Sequence, residues 1–204
     1  MMSSAPPARR MIVGITGASG TIYGIRLLEA LRSLGIERHL IVSRSGDLTR
    51  ALETDHSAAD LRALADTVYS PGDIAAAISS GSFQTMGMIV APCSVRTLSD
   101  IAYGTTSTLV SRAADVCLKE RRRLVLLFRE TPLHAGHLRS MLAATEIGAV
   151  VSLPVPAFYA RPRTLDDIVN HSVARVLDLF GLDTKTFPRW GETQQARAME
   201  GGIQ

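Results

Sequence analysis

The chain has 204 residues, 46% of them hydrophobic and 20% charged, with a formal net charge of +3. That is enough apolar material for one domain with a substantial core, and no apolar run is long enough to span a bilayer. Only two cysteines, Cys93 and Cys117, are present; they exclude a disulfide framework, supply no metal-ligand spacing and fit a reducing cytoplasm. The basic residues are nearly all arginine and scattered without aromatic interleaving, so no nucleic-acid surface is expected.

Residues 1–10 lack the apolar segment of a secretory signal and read as a disordered leader. Residues 11–15, Met-Ile-Val-Gly-Ile, form a short apolar run that suits a buried strand. Gly17-Ala18-Ser19-Gly20 follows, and then Tyr23, Leu27, Leu28, Leu31 and Leu34 recur on one helical face. A strand, a glycine turn and a helix N-terminus can cradle phosphate, because amide N–H groups and the helix dipole converge there. Gly14-x-x-Gly17-x-x-Gly20 is a cousin of the dinucleotide fingerprint, however, and an equally acceptable reading is a tight turn that binds nothing.

Residues 39–44 read as a second strand. It ends on Ser43 and Arg44, where a nicotinamide-binding fold places an acid for the ribose, which argues against NAD, while Arg44 alone does not exclude NADP. Residues 46–66 read as helix interrupted near Asp55-His56, residues 73–79 as a short helix, and residues 80–83 as a polar loop. A third apolar strand, residues 86–91, leads to Pro92-Cys93-Ser94, with Ser94 placed to cap a helix through Thr97, Leu98 and Ile101. Residues 106–122 form an amphipathic helix on which Arg112 and Lys119, seven apart, share nearly one face. A buried strand at 123–128 closes on Arg129-Glu130-Thr131-Pro132. After it come a helix at 137–147, a strand at 149–153, a stiff aromatic loop at 154–159, a helix at 164–180 and a polar tail from 183 that carries Trp190.

Strands alternating with helices imply an α/β fold: a single-domain open parallel sheet, residues 11–182, with helices on both faces, Rossmann-like or flavodoxin-like. Such sheets bind ligands at the carboxyl ends of their strands, where Ser19, Ser43, Ser94, Arg129 and Glu130 all fall.

The segments Thr16-Gly17-Ala18-Ser19-Gly20, Pro92-Cys93-Ser94-x-x-Thr97-Leu98-Ser99 and Arg112 through Arg122 carry a resemblance. So do Leu124-Val125-Leu126, Arg129-Glu130-Thr131-Pro132, Pro156-Ala157-Phe158-Tyr159 and Pro188-Arg189-Trp190-Gly191-Glu192. On these the chain from Met11 to Glu192 resembles the flavin prenyltransferases, the UbiX family. The resemblance implies transfer of a dimethylallyl group from dimethylallyl phosphate to N5 and C6 of reduced FMN, without a metal. The product, prenylated FMN, would serve a UbiD-type decarboxylase. It further implies FMN contacts from Gly17, Ala18, Ser19, Ser43, Ser94, Val95, Arg96, Thr97 and Arg129. Ser80, Arg112, Lys119, Tyr159 and Arg175 would surround the dimethylallyl phosphate. Ser19, Glu53, Glu130, Lys119 and Arg112 would be the catalytic groups, and the assembly a cytoplasmic homododecamer with sites shared between subunits.

Those residue types suit the chemistry. Breaking an allylic C–O bond leaves phosphate and a delocalised cation, and arginine and lysine can hold the departing anion. Ring closure at C6 needs a proton removed, for which Glu130, Ser19 or the freed phosphate are candidates. The sequence departs from the family's usual pattern at Val95-Arg96, at Arg139-Ser140 and at Thr108. Two competing readings share the FMN site: a non-catalytic FMN-carrying subunit of a decarboxylase, and a flavin-dependent cysteine decarboxylase. The cysteine decarboxylases carry Pro-Ala-Ser-Ala-Asn-Thr where this chain has Pro92-Cys93-Ser94-Val95-Arg96-Thr97, so the asparagine is missing.

Overall fold

A computed structural model describes residues 9–185; residues 1–8 of the expected leader, and the tail from 186 with Trp190, lie outside the described residues. The elements are β1 (Arg10–Ile15), α1 (Thr21–Ser33), β2 (Glu37–Val42), α2 (Arg44–Glu53), α3 (Ala58–Ala63), β3 (Thr67–Tyr69) and β4 (Gly87–Cys93). They continue with α4 (Val95–Ala102), α5 (Leu109–Lys119), β5 (Arg123–Phe128), α6 (Ala135–Glu146), β6 (Val150–Ser152) and α7 (Leu165–Asp178). Every strand pair is parallel, and the sheet order is β3-β2-β1-β4-β5-β6. The order reverses between β1 and β4, which opens a crevice at their carboxyl ends.

Side-chain alternation along each strand splits the core in two. Ile12, Met88, Val90, Leu124 and Leu126 face α4, α5 and α6. Met11, Val13, Ile15, Ile89, Val125 and Leu127 face α1, α3 and α7. Each large aliphatic side chain so buried contributes about 1.5–3 kcal/mol. Helix starts follow local chemistry: Ser57, Thr108 and Thr164 each close a capping box, and Ser43 and Ser94 cap α2 and α4.

The structure corrects the sequence reading in two places. The edge strand β3 is not expected from sequence, because Thr-Val-Tyr is too short to show alternation; it is held by pairing His39–Thr67 through Ile41–Tyr69. The expected helix at 73–79 is only a 3-10 turn over Ala77–Ser79. Pro71 and Gly72 precede it, the Asp73 carboxylate accepts the Ala75 N–H, and Ala76 and Ile78 alone are buried, too few to hold a helical stripe. Other boundaries differ by a few residues: β2 ends at Val42, because Ser43 already caps α2.

Both cysteines are free and buried. Burial pushes the Cys117 thiol up to about 12 and Cys93 higher still. A thiol reagent near neutral pH should therefore label neither in the native protein and both after denaturation. Rapid native labelling would contradict this burial.

Candidate active site

A cleft of about 660 Å³ opens at the carboxyl ends of β1 and β4. Thr16 builds its floor: its hydroxyl donates to the Pro92 carbonyl at 2.8 Å and accepts the Ser94 N–H at 2.8 Å, tying the end of β1 to the entry of α4. All nine residues expected to contact FMN line this cleft, from Gly17 through Arg129, and Glu130 lines it too. The N-terminal ends of three helices meet there: α2 behind Ser43, α4 behind Ser94, and α5 behind Thr108. Arg44, Arg96 and Arg129 outnumber Asp100 and Glu130 around the rim. Helix dipoles and excess positive charge together suit a ligand that carries phosphate.

The glycine turn before α1 behaves differently from the phosphate cradle considered from sequence. Glu53, at the end of α2, already fills it. Its Oε2 accepts the N–H groups of Gly20 at 2.8 Å and Thr21 at 3.2 Å, where Gly20 sits at φ 108°. Burial by itself would raise this carboxyl, but hydrogen bonds from the Ser19 hydroxyl and those two amides, with the charge of Arg129, outweigh it and hold it below the usual carboxylate range. Glu53 is thus kept ionised and hydrogen-bonded to Ser19, on the lip of the cleft. The anion at the α1 N-terminus is the chain's own.

The five residues expected around dimethylallyl phosphate divide into two groups. Lys119 ends α5 and lies against the Ser80–Gly81 backbone, so that a side chain at Gly81 would meet Lys119 Nζ at 2.9 Å. Arg112 lies two turns earlier on the same helix, paired with Asp115 at 2.9 Å. Tyr159 and Arg175 belong to the other face of the sheet: the Tyr159 hydroxyl and His171 Nε2 are 3.2 Å apart, and Arg175 pairs with Asp178 at 2.7 Å. Helix α5 packs on one core and α7 on the other, so one chain does not bring these groups together.

Among the described residues, no group of three or more His, Cys, Asp or Glu could hold a metal ion. His134 and His137 stack at 3.7 Å, and His134 Nδ1 accepts the Gly136 N–H at the start of α6, a capping role.

The flavoprotein family matches residues 2–177. The flavin prenyltransferase UbiX of Thauera aromatica is 58% identical over 181 residues, 89% of this chain and 93% of its own length. That of Escherichia coli K12 is 58% identical over 185 residues, 89% of this chain and 98% of its own. The chain belongs to the UbiX flavin prenyltransferase family. A UbiX crystallised with FMN and dimethylallyl pyrophosphate superposes with a TM-score of 0.89 at 52% identity, covering 90% of this chain and 97% of that one. A dodecameric FMN-dependent UbiX-like decarboxylase from Escherichia coli O157:H7 gives 0.87 at 53%, covering 89% and 98%. The FMN-dependent cysteine decarboxylase of thioviridamide biosynthesis reaches 0.59 at 16% identity, which shows a shared fold and nothing more.

Within the UbiX frame, sequence reasoning missed several lining residues: Ser45, Pro71, Gly72, Ser107 and Thr108. Ser45 and Thr108 were legible as hydroxyls near helix starts. Pro71 and Gly72 were not, because they reach the cleft only through the unexpected edge strand. Among the described residues no helix is long and apolar enough to cross a membrane.

Proposed function

We propose that this chain joins a dimethylallyl group from dimethylallyl phosphate to N5 and C6 of reduced FMN, and that the prenylated flavin goes on to a UbiD-type decarboxylase. The observation that carries the reading is the convergence of Gly17–Ser19, Ser43, Ser94–Thr97, Arg129 and Glu130 on one phosphate-suited cleft at the sheet's switch point. Reduced FMN would supply the electron-rich N5 and C6 to which the allyl group is attached. Gly17, Ala18, Ser19, Ser43, Ser94, Val95, Arg96, Thr97 and Arg129 would hold it.

The donor half of the site follows from the split of its residues between the two faces of the sheet. Arg112, Lys119 and Ser80 from one chain would meet Tyr159 and Arg175 of neighbouring chains in a dodecamer, the state of the Escherichia coli O157:H7 relative. Three cations and a phenol would then stabilise the charge that grows on the leaving phosphate as the allylic C–O bond breaks, worth several kcal/mol in a site closed to water. Closure at C6 releases a proton. Ser19, already hydrogen-bonded to the ionised Glu53, offers it a path, and Glu130 on the cleft wall offers another. Two free, buried cysteines fit a reducing cytoplasm.

Anaerobic incubation with reduced FMN and dimethylallyl phosphate should yield a flavin heavier by one five-carbon unit, read by mass spectrometry. Bound but unchanged flavin would reject the enzyme and favour an FMN-carrying subunit.

A further inference from the structure

We propose that Arg122 is a positioning residue for prenyl transfer, clamping the loop that carries Ser80 against the end of α5 that carries Lys119. This role rests on the proposed function, in which Ser80 and Lys119 hold the donor phosphate.

Helix α5 ends in a reversal built around a non-glycine residue. The Arg121 N–H donates to the Leu118 carbonyl and the Arg122 N–H to the Cys117 carbonyl, with Arg121 at φ 53°. That left-handed position normally falls to glycine, and an ordinary side chain there is strained by about 1–2 kcal/mol. The turn sends Arg122 back toward residues 80–83. Its Nη1 donates to the Phe83 carbonyl at 2.7 Å and its Nη2 to the Gly81 carbonyl, 39 and 41 positions away in sequence. One planar guanidinium thus fixes two carbonyls of the same short loop. Within itself the loop is tied by a turn from the Phe83 N–H to the Ser80 carbonyl and by the paired hydroxyls of Ser80 and Ser82.

The far side of the loop is keyed to α5 as well. A Cβ on Gly81 would lie 2.0 Å from Glu120 Oε1 and 2.9 Å from Lys119 Nζ, so backbone and ammonium approach only because glycine is there. Phe83 anchors the loop's end, with the Arg10 guanidinium 4.8 Å above its ring and His39 edge-on at 5.1 Å. Arg122 itself is half-buried, and its hydrogen bonds go to carbonyls rather than to a carboxylate. Lysine cannot replace it, because one ammonium lacks the fork that spans two carbonyls.

The test compares R122Q and R122K with K119M, S80A, the double variant S80A/K119M and the triple variant R122Q/S80A/K119M, in the full-length protein. R122Q should raise KM for dimethylallyl phosphate about tenfold, with FMN affinity and kcat changed less than about threefold, and R122K should recover little of the loss. In the S80A/K119M background R122Q should add nothing further, because the groups it positions are gone. The proposal is overturned if R122Q leaves the donor KM unchanged while K119M raises it, or if R122Q acts in full on top of S80A/K119M. A parallel loss of FMN binding and melting temperature in R122Q and R122K would also overturn it, in favour of a purely structural role. If K119M and S80A themselves leave the donor KM unchanged, the phosphate reading fails first, and the clamp's catalytic meaning with it.

Discussion

Replacing Glu53 by alanine should lower prenyl transfer by about a hundredfold or more, while costing the fold only about 1 kcal/mol. The two effects separate because the carboxylate does two jobs. It caps α1 through the Gly20 and Thr21 amides; Thr21 is buried, but Gly20 is half-exposed and Glu53 itself exposed, so water can take over much of the cap. It also accepts the Ser19 hydroxyl, a role water cannot match in orientation or basicity. For a chain of this size, about 1 kcal/mol shifts the melting temperature by about 2–4 °C.

The pH dependence follows from the direction of the shift. A carboxyl held below its ordinary value contributes stability above that value, roughly pH 4.3, and loses it as pH falls through the lowered one. The gap in melting temperature between wild type and E53A should therefore be full near neutrality and close in acid. E53Q keeps one oxygen that can accept both amides but cannot take a proton, so it should melt nearer to wild type and still turn over slowly. E53A turning over at the wild-type rate would remove Glu53 from the chemistry.

Gly24→Ala should destabilise the protein by about 2 kcal/mol, against the sign that helix propensity gives. In the middle of a helix, alanine is ordinarily better than glycine by about 0.8–1.0 kcal/mol. Here a Cβ would lie 2.5 Å from the Ala91 carbonyl oxygen and 2.7 Å from Ile15 Cδ1. Overpacking costs about 1–3 kcal/mol, and a backbone oxygen that cannot swing aside puts this site at the upper end, so steric cost outweighs propensity. Calorimetry should show a fall of about 4–8 °C. Ala91 also precedes Pro92, whose carbonyl Thr16 holds at the cleft floor, so FMN affinity should drop as well. A melting temperature raised by G24A would mean that α1 does not sit this close to β4.

The two experiments bear on different links. Glu53 concerns whether the carboxylate that caps α1 also takes part in proton transfer. Gly24 concerns how tightly α1 must lie on the sheet for that site to exist.

Much of this architecture is legible in the chain. Apolar runs of five or six residues at 11–15, 86–91 and 123–128 suit buried strands, and their periodic neighbours suit helices. The residues at the carboxyl ends of those strands therefore had to share an edge, and Ser19, Ser94, Arg129 and Glu130 do. Ser94 as the cap of α4 is equally visible, since capping is a local matter of one hydroxyl and an amide three residues on.

Other features depend on distance in sequence. That Glu53, and not a ligand, sits at the α1 N-terminus is decided by α2 packing beside α1, a contact over more than thirty residues that no local pattern encodes. Strand β3 exists because β2 offers it an edge, not because Thr-Val-Tyr prefers it. Arg112, Lys119 and Arg175 look alike in the sequence, yet the sheet stands between α5 and α7. Periodicity and turn chemistry act over a few residues, and so determined the layers of this protein and the edge where it works. Which carboxylate meets which amide, and which cations share a face, are set by packing between segments far apart in the chain, and only the folded molecule decided them.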